Sequence, residues 1–405
     1  MSHIALFIHG LSGGGVQRST MNLAGELRRR GHRVDLVVGT ADGAARSLIP
    51  DGVTLRPLRR SSRLKFLPLA WRAEPTAREQ MLKPVLLAPI PQKAMYYLPA
   101  LLDYLQYHKP DGLIAADTYC NIAAIWARKL SGERTRVVVS ERNPLSVQLQ
   151  RPERRRAWRW RHAPALIGLV YPQADGIISV SRGVGDDLTA MTGIARDRIT
   201  TIYNPIHIGD ELDRRAAAPV NHHWFRAGEP PVILGVGRLV KPKDFPTLIR
   251  AFAQLRRTRA ARLLILGEEQ EPGLQQHLGQ LARELGIAEA VQLPGHVENP
   301  YAYMRQAALF ALSSYREGLG NVLIEALSCG CPVVSTDCPY GPAEILERGR
   351  YGRLVPVGDT NALAAAMAAT LDAPPTREHL RARGREFGVE RAASAYLSTL
   401  GLPAA

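Results

Sequence analysis

EGLGNVLIEALSCGCPVVSTD, residues Glu317 to Asp337, is the stretch on which the reading of this chain turns. Two glutamates, Glu317 and Glu325, stand eight positions apart. Gly318, Leu319, Gly320 and Asn321 form a glycine-flanked turn after the first, and the apolar helix that follows carries the second. Cys329-Gly330-Cys331-Pro332 closes that helix, and Val333-Val334-Ser335-Thr336 reads as a buried strand. Such an order puts a carboxylate and free backbone N–H groups at a helix N-terminus, where anions bind. The second carboxylate falls about two turns further on, at ~1.5 Å rise per residue. Glu325 lies among Val322, Leu323, Ile324, Ala326 and Leu327, where a charge needs a partner. A phosphate at the helix start and sugar hydroxyls on carboxylates describe a nucleotide-sugar site.

Outward from this stretch the chain alternates strand and helix patterns. Residues 4–9 and 34–38 read as buried parallel strands around a helix Val16–Arg30 stopped by Gly31. Further strands are expected at 112–116, 136–140, 176–180 and 200–202, then at 232–236, 262–266, 290–293, 308–312 and 332–335. Alternation of this kind predicts parallel sheets covered on both faces, with ligands beyond the carboxyl ends of the strands. The 405 residues suffice for two domains. The expected division is an N-terminal Rossmann-like domain over 1–205, a linker over 206–230 rich in Pro and charge, a C-terminal domain over 231–376, and a final helical stretch over 377–405.

The Glu317/Glu325 spacing resembles the E-x7-E signature of retaining glycosyltransferases of family 4, which have the GT-B fold: two Rossmann-like parallel-sheet domains facing a central cleft. The resemblance covers nearly the whole chain and is strongest over 231–360. It implies that Glu325 bonds the ribose hydroxyls, that Glu317 contacts the transferred sugar, and that the backbone of Leu319, Gly320 and Asn321 approaches sugar and diphosphate. The segment GRLVKPKDFPTLIRAF, residues 237–252, resembles the family's phosphate-binding segment. There Gly237 ends a strand, Arg238 can fork onto phosphate oxygens and Lys243 adds a point charge. The resemblance also places Gly267 near the nucleotide and the backbone of His296 and Val297 on the base edge. It implies that the 377–405 stretch crosses back onto the first domain.

In the N-terminal half, Gly13-Gly14-Gly15 follows the first strand and opens a helix, so Gly14 and Gly15 can bring bare backbone to a phosphate. A plain tight turn is the alternative. Residues 13–34 resemble the family's N-terminal loop and helix, with Gln17 where a glutamate is common. Glu141 and Arg142 in Ser140-Glu141-Arg142-Asn143-Pro144 stand on the acceptor and sugar side, and Arg142 occupies the position at which many relatives carry a histidine.

Charge is uneven. Residues 1–220 hold 32 Lys+Arg against 19 Asp+Glu, a surplus of 13, while the remainder hold 20 against 18. Arg154, Arg155, Arg156 and Arg159 interleave with Trp158 and Trp160 in RPERRRAWRWR, residues 151–161, and RRSSRLKFLPLA, residues 59–70, adds a second basic and apolar stretch. Basic, aromatic-rich segments suit an anionic membrane surface. A solvated helix face and single-stranded nucleic acid are the competing readings, and nucleic acid is the less favoured. Cys329, Cys331 and Cys338 cluster without a histidine or fourth cysteine at ligand spacing and read as reduced structural thiols. No apolar run is long enough to span a bilayer, and the N-terminus lacks the charged region and cleavage site of a signal peptide. A cytoplasmic protein peripheral to the membrane is expected.

The sequence therefore predicts a retaining, metal-independent and cofactor-free transferase. It would move a hexose or N-acetylhexosamine from a nucleoside diphosphate sugar, a UDP-sugar first, to a glycan or polyprenyl-diphosphate-linked saccharide in surface polysaccharide assembly. A GT-B sugar epimerase and a non-catalytic sugar- or nucleic-acid-binding protein are the rivals. The membrane expectation has a direct check. Each basic residue near an anionic surface is worth about 1 kcal/mol. Replacing Arg154, Arg155, Arg156 and Arg159 by glutamine should release the protein from anionic vesicles at physiological salt. Equal wild-type affinity for anionic and neutral vesicles in a flotation assay would end this reading.

Overall fold

The structure, a computed structural model, describes residues 1–75, 93–150 and 162–403. The chain divides into two compact units, Met1–Pro205 with Val389–Ala405, and Ile206–Gly388. The basic, tryptophan-bearing stretch 151–161, with Arg154, Arg155, Arg156, Trp158, Arg159 and Trp160, lies outside the described residues.

The first unit is built on seven strands: β1 (His3–Gly10), β2 (Arg33–Thr40), β3 (Thr54–Pro57), β4 (Gly112–Ala116), β5 (Arg136–Glu141), β6 (Gly176–Ser179) and β7 (Ile199–Thr201). Their order is β3-β2-β1-β4-β5-β6-β7 and every pairing is parallel. Alternate residues of β1 feed two cores. Ala5 and Phe7 pack with Trp126, Tyr171 and Leu101 on one face, while Ile4, Leu6 and Ile8 pack with Leu27, Tyr396, Leu397 and Leu400 on the other. A strand buried on both faces must be apolar throughout, which is why β1 reads as an unbroken hydrophobic run.

The second unit has six parallel strands: β8 (Val232–Val236), β9 (Arg262–Leu266), β10 (Val291–Gly295), β11 (Leu309–Leu312), β12 (Val333–Thr336) and β13 (Arg353–Val355), in the order β10-β9-β8-β11-β12-β13. The chain winds outward from β8 to β10, then returns to the other side of β8 and winds out to β13. The loops after β8 and β11 therefore diverge from a single point in the sheet, the place where open α/β sheets bind ligands.

Two boundaries differ from those expected. Residues 206–230 are not a free linker: Leu212, Ala216 and Trp224 are buried, and the helix Asp210–Ala216 lies against the helix Pro300–Gln306. Arg215 donates to the Glu298 carbonyl at 3.0 Å, and Asn299 donates to the Arg215 carbonyl at 2.7 Å. The final helical stretch is two helices. Arg377–Arg385 packs on Asn321–Ser328 within the second unit, and only Val389–Thr399 joins the first unit, against the helix Gly15–Arg29.

One backbone approach constrains the second sheet. A Cβ on Gly267 would stand 1.8 Å from the Gly237 carbonyl oxygen. Gly267→Ala must force the ends of β8 and β9 apart and should cost about 1–3 kcal/mol, the usual price of overpacking. Gly279→Ala provides the opposite sign. Gly279 lies inside the helix Leu274–Glu284, and a Cβ there would come no nearer than 3.9 Å to Arg283 Nη1, so alanine should stabilise by about 0.5–1 kcal/mol. Urea unfolding of both variants checks the pair.

Candidate active site

At the carboxyl end of the second sheet the loops are stitched to one another through their backbones. The Gly237 N–H donates to the Leu266 carbonyl at 2.9 Å, Leu239 to Glu268 at 2.8 Å, and Gly267 to Gly295 at 2.8 Å. His296 and Val297 follow Gly295, the first exposed and the second half-buried. Arg238 is exposed and donates to Gln270 Oε1 at 3.0 Å. Its guanidinium is thus open to a ligand, with one N–H steadied by a neutral amide.

Lys243 and Glu317 meet across the divergence point. Lys243 ends a helical turn after β8, where Asp244 takes left-handed angles (φ 46°) before the helix Phe245–Arg256. Glu317 lies in the loop after β11. The two loops are joined by Ser313 Oγ donating to the Lys243 carbonyl at 2.9 Å and by the Tyr315 N–H donating to Pro242 at 3.1 Å. Lys243 Nζ reaches Glu317 Oε1 at 2.6 Å, and Ser314 Oγ donates to the same oxygen at 2.8 Å. Both side chains are largely withdrawn from water, at 17% and 15% exposure, so this is a short charge-assisted hydrogen bond with reduced screening.

Beyond Glu317 the chain enters the helix Asn321–Ser328 through Gly320, at φ 93°. Glycine offers no side-chain cap to this helix start, where the Leu323 N–H donates to the Gly320 carbonyl at 2.9 Å. The Leu319 side chain is buried, so only its backbone serves the site, and Asn321 is half-buried. Glu325 is buried at 7% exposure. The loops after β8, β9, β10 and β11 thus carry Gly237, Arg238, Lys243, Gly267, His296, Val297, Glu317, Leu319 and Gly320, and the helix that follows Gly320 carries Asn321 and Glu325. Ser314, which orients Glu317, carried no signal in the sequence.

The three clustered cysteines are buried and free. Burial, helped by the Glu325 charge, pushes the Cys329 thiol up to about 12, and burial with the Glu317 charge does the same to Cys338. Among the described residues no group of three or more His, Cys, Asp or Glu side chains is arranged to share a metal ion.

The candidates of the first unit behave differently. Gly14 sits at φ 131°, beyond the reach of most side chains, and opens the helix Gly15–Arg29, while Gln17 Nε2 closes the loop onto the Gly10 carbonyl at 3.1 Å. Glu141 is 1% exposed and accepts from Tyr171 Oη at 2.9 Å and Thr118 Oγ1 at 3.1 Å. Burial raises its carboxyl to about 7 despite these donors, and the Asp117 charge adds to the rise. Arg142 is turned inward at 5% exposure. It donates to Asn204 Oδ1 at 2.7 Å, Ser19 Oγ at 3.2 Å and Tyr396 Oη at 3.3 Å. In this arrangement it ties the helix Gly15–Arg29, the turn at 204 and the helix Val389–Thr399 together. The sequence reading did not single out Asp117. It follows β4 at φ 82°, a strained setting of the sort that functional residues often occupy, and its charge reaches both His9 and Glu141.

The second sheet thus ends in a cation–carboxylate pair near a glycine-capped helix start, at the end where open α/β sheets bind ligands. Residues 13–209 match the family Glycosyltransferase Family 4, and residues 222–387 match Glycosyl transferases group 1. Together the two matches run from residue 13 to residue 387 with a gap only at 210–221. It is 34% identical over 252 residues to the N-acetylgalactosamine-N,N'-diacetylbacillosaminyl-diphospho-undecaprenol 4-alpha-N-acetylgalactosaminyltransferase of Campylobacter jejuni, covering 62% of this chain and 64% of the relative. It is also 34% identical over 175 residues to the lipopolysaccharide core biosynthesis glycosyltransferase LpsE of Rhizobium meliloti, covering 42% and 49%. The chain thus spans less than two thirds of the length of these curated relatives. In fold it is similar to the lipopolysaccharide outer core galactosyltransferase WaaB, with a TM-score of 0.70, 20% identity, and 98% and 99% of the two chains covered. It is likewise similar to Anabaena Alr3699/HepE in complex with UDP and glucose, at TM-score 0.76 and 18% identity, with 99% and 100% covered. These likenesses establish two parallel-sheet Rossmann-like domains of the GT-B type.

Lys243→Ala removes the cation and leaves Glu317 with Ser314 alone. Turnover should fall about 10²-fold, the scale for losing one group aimed at developing charge. Circular dichroism should stay native, and a variant of near wild-type activity would remove Lys243 from the machinery.

Proposed function

We propose that this protein transfers a hexose or N-acetylhexosamine from a nucleoside diphosphate sugar, most simply a UDP-sugar, to a lipid-linked or growing glycan, with retention at the anomeric carbon and without a metal ion. The observation that carries the reading is the Lys243–Glu317 pair spanning the loops after β8 and β11, beside the N-terminus of the helix that bears Glu325. Arg238, Lys243 and that helix N-terminus would take the diphosphate. Glu325 would take the ribose hydroxyls, Glu317 the transferred sugar, and the backbone at His296 and Val297 the base.

The anomeric carbon loses its bond to the diphosphate oxygen and gains one to the acceptor oxygen. The acceptor proton passes to the departing phosphate. Charge grows on the leaving group, so Lys243 and Arg238 act chiefly as electrostatic stabilisers of the transition state. Because they and the helix dipole supply positive charge, no divalent cation is required in this scheme.

The printed names of the relatives favour a diphosphate-borne acceptor of the lipid-linked or lipopolysaccharide type. An outward helix face in the first unit suits work beside a membrane. Arg63–Ala73 buries Phe66, Ala70 and Ala73 and leaves Leu64 84% and Trp71 38% exposed beside Lys65 and Arg72. Among the described residues no helix is long and apolar enough to cross a membrane, so attachment in this reading is peripheral.

The experiment is a nucleotide-sugar panel with a lipid-diphosphate saccharide acceptor, with and without EDTA, and NMR of the product's anomeric centre. An α-donor should yield an α-linked product at a rate unchanged by chelation. Inverted product, free sugar alone, or loss of activity restored by a divalent ion would each refute a named part of the scheme. In the same assay Glu325→Gln should weaken nucleotide binding by about 1–3 kcal/mol, the range for hydrogen bonds to a charged group.

A further inference from the structure

Arg383 is buried, at 6% exposure, on the helix Arg377–Arg385. Its Nε donates to the Ile345 carbonyl at 2.8 Å and its Nη2 to the Glu344 carbonyl at 2.8 Å. Nη1 meets the carboxylates of Glu347, at 2.9 Å, and Glu386. The guanidinium lies 4.8 Å from the Phe387 ring centre and 5.4 Å from that of Tyr351. A guanidinium withdrawn from water is costly unless its donors are met, and these carbonyls and carboxylates meet them.

The two carbonyls close the short helix Pro342–Ile345, whose start is pressed against the donor loop. A Cβ on Gly341 would stand 2.0 Å from the Leu319 carbonyl oxygen. The Glu317 N–H donates to Pro339 at 3.0 Å, and the Tyr340 N–H returns to the Glu317 carbonyl at 2.9 Å. The Arg383 helix also bears on the helix that carries Glu325, for a Cβ on Gly384 would stand 2.4 Å from Ser328 Oγ. One side chain therefore fixes the segment on which the Glu317 loop rests, and its own helix backs the Glu325 helix.

We propose that Arg383 is a positioning residue for sugar transfer: its forked guanidinium holds the 339–345 segment in place and thereby sets Glu317 against Lys243. The proposal rests on the donor-site reading of Glu317 and Lys243. Shape rather than charge is the requirement, since a planar fork serves both carbonyls from two separate nitrogens whereas an ammonium presents all its N–H groups from one.

Arg383→Lys tests this in two ways. The first readout needs no substrate. Amide hydrogen exchange should quicken by about 10-fold or more over residues 317–321 and 339–345, with the strands of the sheet unchanged. Unaltered exchange in those two segments overturns the proposal even if the protein turns over no nucleotide sugar, which would instead count against the proposed function. The second readout is kinetic. The substitution should lower kcat by about 10-fold or more in the wild-type background, since small misplacements carry large rate costs. It should lower kcat less than 2-fold when Lys243→Ala is already present, because both act through one pair. Equal losses in the two backgrounds, or a lower Tm with kcat and KM intact, would leave Arg383 a purely structural residue.

Discussion

The second sheet reverses its winding at β8, and the site follows from that reversal. Strands added first on one side and then on the other leave the loops after β8 and β11 side by side with no strand connection between them. Lys243 comes from one loop and Glu317 from the other, and their contact is made only once both halves of the sheet exist. The backbone stitches from Gly237 to Leu266 and from Gly267 to Gly295 then level the floor, and they demand that no side chain rise from Gly267. A chemistry that needs bare backbone, one cation and one carboxylate within a few ångströms is thus supplied by the topology before any substrate arrives.

Burial sorts the many cations of this chain into two trades. Arg238 is exposed and Lys243 keeps a partial opening to water, so both can exchange a protein partner for a ligand oxygen. Arg142 and Arg383 are almost wholly enclosed and spend their donors on carbonyls, carboxylates and hydroxyls of their own unit. The forked guanidinium suits this second trade, since several fixed acceptors can be met at once. Residue type alone does not separate the two groups.

That limit explains what the sequence disclosed. β1, β8 and β11 are largely apolar and buried, and β12 opens on Val333-Val334 and is buried throughout, so the fold class was legible in the sequence. The E-x7-E spacing lies within one loop and helix, so it too survives as a local pattern. β3 (TLRP) and β13 (RLV) are edge strands, partly polar and partly exposed, and offer no apolar run to find. The stretch 206–230 misled because Pro and charge dominate its composition, while its placement depends on Leu212, Ala216 and Trp224 finding distant partners. Arg142 was read from its place after a strand, yet Ser19, Asn204 and Tyr396 decide its direction, and they lie far away in sequence. Ser314, Asp117 and Arg383 matter through contacts or backbone angles that no spacing announces.

The helix Val389–Thr399 has a consequence for synthesis. Tyr396, Leu397 and Leu400 complete the face of the first sheet formed by Ile4, Leu6 and Ile8, although nearly four hundred residues separate them in the chain. Domains usually mature in the order in which they are translated. Here the stretch 206–388 is continuous and emerges whole while the earlier unit still waits for its closing helix. The nascent protein therefore carries an uncovered apolar face on β1 for the whole time that residues 206–388 take to follow it.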